Sequence, residues 1–325
     1  MKIKKINGFL AMLAISALMF TLTACEEEPG DPIDNPTPDP VTDLKGGQLN
    51  DTTLTIQWAH SPDQAQPWFV RYKVTITNDA NSTVDTLSLP KTENSCNYVL
   101  NTSARGIKYN FAVVAVSDSG MASTPRTFSW ALSRHFERNS NGDRYRVYVK
   151  ASSDFGSGIQ LYNPTTQLPE GGLLSNQGAR WNLGLHTSTV SNAIDEIRFG
   201  SASELPNNQP ANTPFPSVTP TDPAYITPVM EDSDNLYNMR NNDLTQGLDF
   251  GLRTIDLKGI ANNHTQGAVF YARVGSGSSV HYAKVIVLKN GAGWLRGTFP
   301  NQYIELMISY QTAAGVPYAK IFAGK

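Results

Sequence analysis

Residues 53–58 read Thr53-Leu54-Thr55-Ile56-Gln57-Trp58, with apolar side chains at every second position and polar ones between them. Successive side chains of a strand point to opposite faces, so this pattern puts Leu54, Ile56 and Trp58 on a buried face and Thr55 and Gln57 on the other. Tyr72, Val74 and Ile76 repeat the alternation, as do Tyr109, Phe111, Val113 and Ala115. About seven such runs, separated by polar turns, fit between residues 41 and 129, which predicts short antiparallel strands rather than helices.

Particular residues within those runs carry a resemblance. Pro40-Val41-Thr42-Asp43-Leu44 stands at the start, Trp58 ends the second strand, and Tyr72-Lys73-Val74 opens the third. Leu100, then Tyr109-Asn110-Phe111-Ala112-Val113, then Gly120 and Ser123 complete the set. Together they resemble a fibronectin type III domain over residues 41–129. The resemblance implies an immunoglobulin-like sandwich with Trp58 beneath the sheet interface and Tyr109 as the tyrosine corner. It implies a spacer or adhesion module, a choice that fold alone does not make. Trp68 and Phe69, beside Pro67, read either as a contact patch or, preferably, as a plug that closes a loop.

Residues 130–325 also lack helical periodicity. Strand-like runs lie at 145–150, 159–162, 181–185, 194–199, 248–255, 269–274, 280–288, 303–310 and 316–322. The fold class expected is therefore all-β throughout, with a second, larger antiparallel β-sandwich. Between Ser201 and Pro228 a proline-rich stretch reads as a long surface loop. Val147–Ser153, Ile159-Gln160-Leu161-Tyr162 and Arg180–His186 are similar to the opening strands of HmuY-type haem-binding lipoproteins. Ala268–Val274, the polar turn and His281–Val285 are similar to that family's late hairpin, and Ile304–Tyr310 to its closing strand. The resemblance implies haem as a cofactor, held by paired His or Met ligands from the segment between residues 200 and 267. That segment offers Met230, Met239 and His264, and both thioether and imidazole ligate iron. Read without the resemblance, Met230 and Met239 are gap fillers, and His264, among Asn262, Asn263 and Thr265, is a turn residue.

The first 25 residues have a basic head (Lys2, Lys4, Lys5), an apolar run from Phe9 to Leu22, and then Leu22-Thr23-Ala24-Cys25. This is the layout of a signal peptide, too short in its apolar part for a membrane span. The residues before the cysteine resemble the lipobox of bacterial lipoproteins, which implies lipidation of Cys25 and outer-membrane lipid as a partner. Several acyl chains, at about 0.8 kcal/mol per buried CH₂, anchor stably. Residues 26–40 form an acidic, proline-rich linker that cannot bury a core. Its Glu26-Glu27-Glu28 start resembles the surface-export tag of Bacteroidota lipoproteins and implies display on the cell surface.

The chain has 26 Lys and Arg against 28 Asp and Glu. Three of the lysines fall in the signal, so the remainder carries five excess negative charges, which argues against a nucleic-acid partner. Cys25 and Cys96 are the only cysteines, so with Cys25 lipidated no internal disulfide forms. No local signature of a nucleophile with its base is present, and the adjacent Asp195 and Glu196 on a strand face opposite ways. Glu231, Asp232, Asp234 and Asn235 hint at a calcium loop, but Leu236 occupies a ligand position and the loop glycine is missing. Gly275-Ser276-Gly277-Ser278-Ser279 joins two strands and opens no helix, so it reads as a hairpin tip rather than a phosphate cradle. His186 and His281 fall in strands and read as packed or surface residues. The expectation is a binding protein and not an enzyme, with haem as the first ligand. The alternative is glycan binding or host adhesion without haem, with a glycan stacked on Tyr145, Tyr148, Tyr162, Trp181 or Trp294.

Overall fold

A computed structural model describes residues 36–101, 105–149, 154–172, 181–190, 193–205, 224–237, 249–299 and 301–316. Cys25, the signal, most of the linker, Met239, most of the proline-rich stretch after Ser201 and all but the first residue of the expected strand at 316–322 lie outside the described residues.

The alternating runs form seven strands: β1 (Thr42–Gln48), β2 (Thr53–Ala59), β3 (Phe69–Asn78), β4 (Thr83–Pro90), β5 (Ser95–Val99), β6 (Tyr109–Ser117) and β7 (Arg126–Trp130). They make a three-stranded sheet, β1-β2-β5, and a four-stranded sheet, β4-β3-β6-β7. Leu54, Ile56 and Trp58 meet Tyr72, Val74, Phe111 and Val113 in one core between them. Trp58 is buried edge-on to Tyr72 at 5.5 Å, and Tyr109 opens β6 as a buried residue. Phe69 begins β3 and is buried, with Trp68 packed on the same core, so the pair is a plug and not a contact patch.

The second module has twelve strands among the described residues. They are β8 (Arg134–Phe136), β9 (Tyr145–Tyr148), β10 (Gly158–Asn163), β11 (Leu168–Gly172), β12 (Leu183–Val190), β13 (Ala193–Ser201), β14 (Ala224–Ile226), β15 (Glu231–Asp232), β16 (Thr254–Asp256), β17 (Gly267–Val274), β18 (His281–Leu288) and β19 (Tyr303–Tyr310). One sheet runs β11-β10-β12-β13-β16 and the other β14-β17-β18-β19-β8, with β15 on β17 and β9 sharing the β19 edge with β8. Leu161, Leu185 and Phe199 of the first sheet pack on Phe270, Val285 and Leu306 of the second.

The outer face of the larger sheet is covered too. Leu236 seals Val269, Ile286 and Met307, and Phe250 packs on Tyr271. Burial on both faces explains why β17 and β18 read as near-continuous apolar runs instead of alternating ones. It also corrects the expected strand at 248–255. Residues 249–252 cross that outer face, touching β14 through a single bridge at Leu252, and pairing resumes at Thr254. Residues 224–226, expected in the loop, form β14. Trp181, expected to start a strand, precedes β12 and lies over Gly158 and Gly172, where an added Cβ would fall 2.3 and 1.8 Å from indole atoms.

The two modules belong to one compact unit, and the three residues between β7 and β8, Ala131, Leu132 and Ser133, are fully buried. The side chain of Gln48 accepts from the Ser133 amide at 2.8 Å, and the Gln311 amide donates to the Ala131 carbonyl at 2.7 Å. Asp51, in the β1–β2 turn, meets Nδ1 of His135 at 3.1 Å and accepts from the Tyr237 hydroxyl at 3.1 Å. The fully buried Lys284 donates to the carbonyls of Asn235 (2.7 Å) and Leu236 (3.4 Å), which fixes Tyr237 for that contact. The hydrogen bond from His135 holds the Asp51 carboxyl below the usual carboxylate range. Burial keeps His135 below the ordinary imidazole value, against the pull of Asp51.

Two outcomes follow. Gly172→Ala is expected to lower stability by about 1–3 kcal/mol through overpacking against Trp181, read as a drop in the denaturation midpoint, while Gly171→Ala, with open space at its Cβ, leaves it near the wild-type value. Both Asp51 and His135 have depressed folded-state values, so both contribute stability at neutral pH that falls away on acidification. The His135 contribution starts to go as pH drops below 6.5 and that of Asp51 below 3.8. His135→Gln is expected to flatten the pH 7.5-to-5 limb of the denaturation midpoint; an unchanged limb would count against this coupling.

Candidate binding cleft at the module junction

At the end of the second sandwich nearest β7, two adjoining depressions share Tyr162 and Thr312. One, of about 270 Å³, is lined by Gln160, Tyr162, Asn182, His281 and Tyr310 among others. The second, about 500 Å³, is lined by Arg105, Gly106, Arg134, Tyr162, Gln167 and Thr312, so both modules contribute.

Strand register brings these side chains together. Tyr310 ends β19 opposite Arg134 of β8, His281 opens β18 opposite Val274, and Tyr162 lies near the end of β10. The rings form a continuous stack, with His281 on Tyr310 at 5.6 Å and 22° and Tyr310 on Tyr162 at 4.9 Å and 15°. The Arg134 guanidinium sits 5.9 Å from the centres of both Tyr162 and Phe136. Gln167 accepts from it at 2.6 Å and holds a left-handed backbone, φ 60°, which few non-glycine residues adopt. Nδ1 of His281 donates to the Gln311 carbonyl at 3.1 Å, so in the neutral ring Nε2 is the acceptor. The Asn182 side chain accepts from the Leu161 amide at 2.8 Å, which fixes its orientation. Tyr310 is buried inside the stack, so the aromatic surface of the cleft is that of the half-buried Tyr162 and His281; with an oriented guanidinium and amide groups these suit a polar ligand with an apolar face, as a sugar ring has.

The residues singled out from sequence divide clearly. Tyr162 lines the cleft, whereas Trp181, Trp294 and Tyr145 are buried and offer no platform. Tyr148 stacks on Phe155 and packs against the tilted ring of Tyr303 elsewhere on the module. His281, read as packed or surface, joins the cleft. Met230 is exposed, with its backbone amide on the Val269 carbonyl. His264 lies at the opposite end of the β17–β18 hairpin from His281. Its Nδ1 donates to the Ile260 carbonyl at 3.0 Å and its ring packs 5.9 Å from Trp294. His186 is buried, 3.8 Å from Glu196, and desolvation lowers its proton affinity.

The acidic turn is structural. Asp232 accepts from the amides of Thr265, Gln266 and Gly267 and from the Thr265 hydroxyl, at 2.8–3.0 Å. Desolvation opposes ionisation there, but these four donors outweigh it and hold the carboxyl far below its ordinary value. A cation would have to displace all of them. Gly275–Ser279 forms the tip of the β17–β18 hairpin, with positive φ at Gly275 and Gly277. Sequence reasoning missed Arg134, Gln160, Gln167 and Tyr310 as a group, because no spacing signals that β8, β10 and β19 converge.

The family model for the fibronectin type III domain matches residues 39–129. Residues 39–129 are a fibronectin type III domain. Similar solved structures include a fibronectin type III domain of human collagen XX, at 15% identity over 30% of this chain and 96% of that one, TM-score 0.25. Domains d3–d4 of the rat CD45 extracellular region are 15% identical over 30% and 50%, TM-score 0.26. A fibronectin type III domain of human contactin 1 is 13% identical over 29% and 76%, TM-score 0.24. No curated protein matches the sequence. Among the described residues no helix is long and apolar enough to cross a membrane.

Cys96, on β5 of the fibronectin type III domain, has its thiol pushed up to about 11 by burial, which removes the thiolate a nucleophile needs. The expected outcome at pH 8 is negligible iodoacetamide labelling of the folded chain and rapid labelling in urea; fast labelling of the folded chain would show an accessible, activated thiol instead.

Proposed function

We propose that this chain is a lipid-anchored, cell-surface binding protein, without catalytic activity, that holds a glycan in the cleft beside its fibronectin type III domain. The observation that carries the reading is the pair of half-buried rings Tyr162 and His281, held by stacking on the buried Tyr310, in a cleft that Gln160, Asn182, Arg105 and Arg134 also line. Sugars present apolar faces for stacking and hydroxyls for amides. The acidic linker and the lipobox-like segment ending in Cys25 support the tether and the cell-surface, outer-membrane location.

Haem capture by the second module is the second reading, favoured by one observation. A carbonyl can only accept, so Nδ1 of His264 carries the proton and Nε2 keeps its lone pair, the arrangement found in metal-ligating histidines. Met239 or Met230 would supply the other ligand.

A glycan array probed with the full chain is expected to give hits that Tyr162→Ala abolishes; silence across plant and mucin sugars would sink the glycan reading. In a hemin titration, a Soret shift lost in His264→Ala would favour the second reading. Labelled palmitate is expected in the wild type and not in Cys25→Ser.

A further inference from the structure

On the outer face of the larger sheet, the register places Tyr225 of β14 opposite Arg273 of β17, and Arg273 opposite Tyr282 of β18. The Ile226–Leu252 bridge, with hydrogen bonds of 3.0 and 3.2 Å in its two directions, brings Arg253 alongside the same ring. The Arg253 guanidinium carbon lies 3.6 Å from the Tyr225 centroid and that of Arg273 4.9 Å, with Arg273 also 5.6 Å from Phe250.

Two like charges on one ring repel each other. Several other arginines meet carboxylates, as Arg296 meets Glu305 at 2.9 Å and Arg146 meets Asp143 at 3.1 Å. Among the described residues neither Arg253 nor Arg273 has a carboxylate partner or a side-chain hydrogen bond, although Asp249 is near in sequence. Stacking uses the flat face of a guanidinium and leaves its in-plane N–H donors unspent, in the fork that matches a planar or tetrahedral oxyanion.

The site is also rigid. The Arg253 carbonyl accepts from the Ser201 amide at 2.6 Å, and Gly200 permits that approach, since a Cβ there would fall 2.2 Å from the same oxygen. Arg253 is thus pinned between β13 and β14, and Arg273 sits within a strand paired on both sides. Preorganised donors lose little entropy on binding. Val274 and His281, next in sequence to Arg273 and Tyr282, face the other side of the sheet, so this is a different site from the cleft.

We propose that Arg253 and Arg273, stacked on Tyr225, form a second binding site for an oxyanion, carboxylate or sulfate, borne on an acidic polysaccharide. Tyr282 lies beside the anion position as a stacking face for the sugar ring. The site does not depend on the cleft reading.

The test is calorimetric titration of the full chain with an oligogalacturonate, a heparin-derived hexasaccharide and maltohexaose. The first two separate carboxylate from sulfate, and the third carries no charge. Expected is binding of at least one acidic sugar and not of the neutral one through this site. Affinity should weaken about tenfold or more in each of Arg253→Gln and Arg273→Gln, the size of one lost charge-assisted contact. Arg273→Lys should not restore it, and Tyr162→Ala should leave it intact. Absence of binding by both acidic sugars, or binding that both Gln variants leave within twofold while their denaturation midpoints match the wild type, overturns the proposal. Loss in Tyr162→Ala as well would move the acidic sugar to the cleft and overturn it equally.

Discussion

Burying both faces of the sheet β14-β17-β18-β19-β8 is the constraint on which the second module rests. One face takes the opposing five-stranded sheet; the other must be covered by chain with no partner sheet. The segments around Leu236 and Phe250 do this. A lysine on that covered face, Lys284, is fully buried, and the covering segment supplies the carbonyls of Asn235 and Leu236 to it. Burying a charge without partners costs far more than leaving it in solvent, so those carbonyls position the cover as firmly as its apolar contacts do.

From that cover the contacts reach the junction of the two modules. Tyr237, next to the Lys284 contacts, reaches Asp51 of the fibronectin type III domain and shares it with His135. The same sheet continues through β8 into the buried Ala131–Ser133 connection. A linker that is buried, hydrogen-bonded by Gln48 and Gln311, and only three residues long does not act as a hinge. The fibronectin type III domain contributes Arg105 and Gly106 to the wall of the cleft.

The two proposed ligand surfaces use one strand pair in opposite ways. At the β17–β18 tip, Val274 and His281 turn toward the cleft while Arg273 and Tyr282 turn to the outer face. Strand alternation thus sets the cleft residues and the paired arginines on opposite faces of one sheet. Neither requires an activated nucleophile, and the one described thiol is suppressed by burial.

The sequence by itself determined the all-β class, the seven strands of the fibronectin type III domain, and the burial of Leu54, Ile56, Trp58, Tyr72 and Phe111. Those properties are local, because alternation along one strand reveals which face is buried. Tyr162 was legible as an aromatic candidate, but Trp181 and Trp294 carry the same signal and are core. The short strands β8, β11, β14 and β15 escaped because two to five residues, some of them Pro or Gly, give too little periodicity. Only the tertiary structure decided the ring stack, the shared Asp51 and the paired arginines on Tyr225. Each joins residues tens to nearly two hundred positions apart, and pairing register, which no single strand encodes, sets which of them meet.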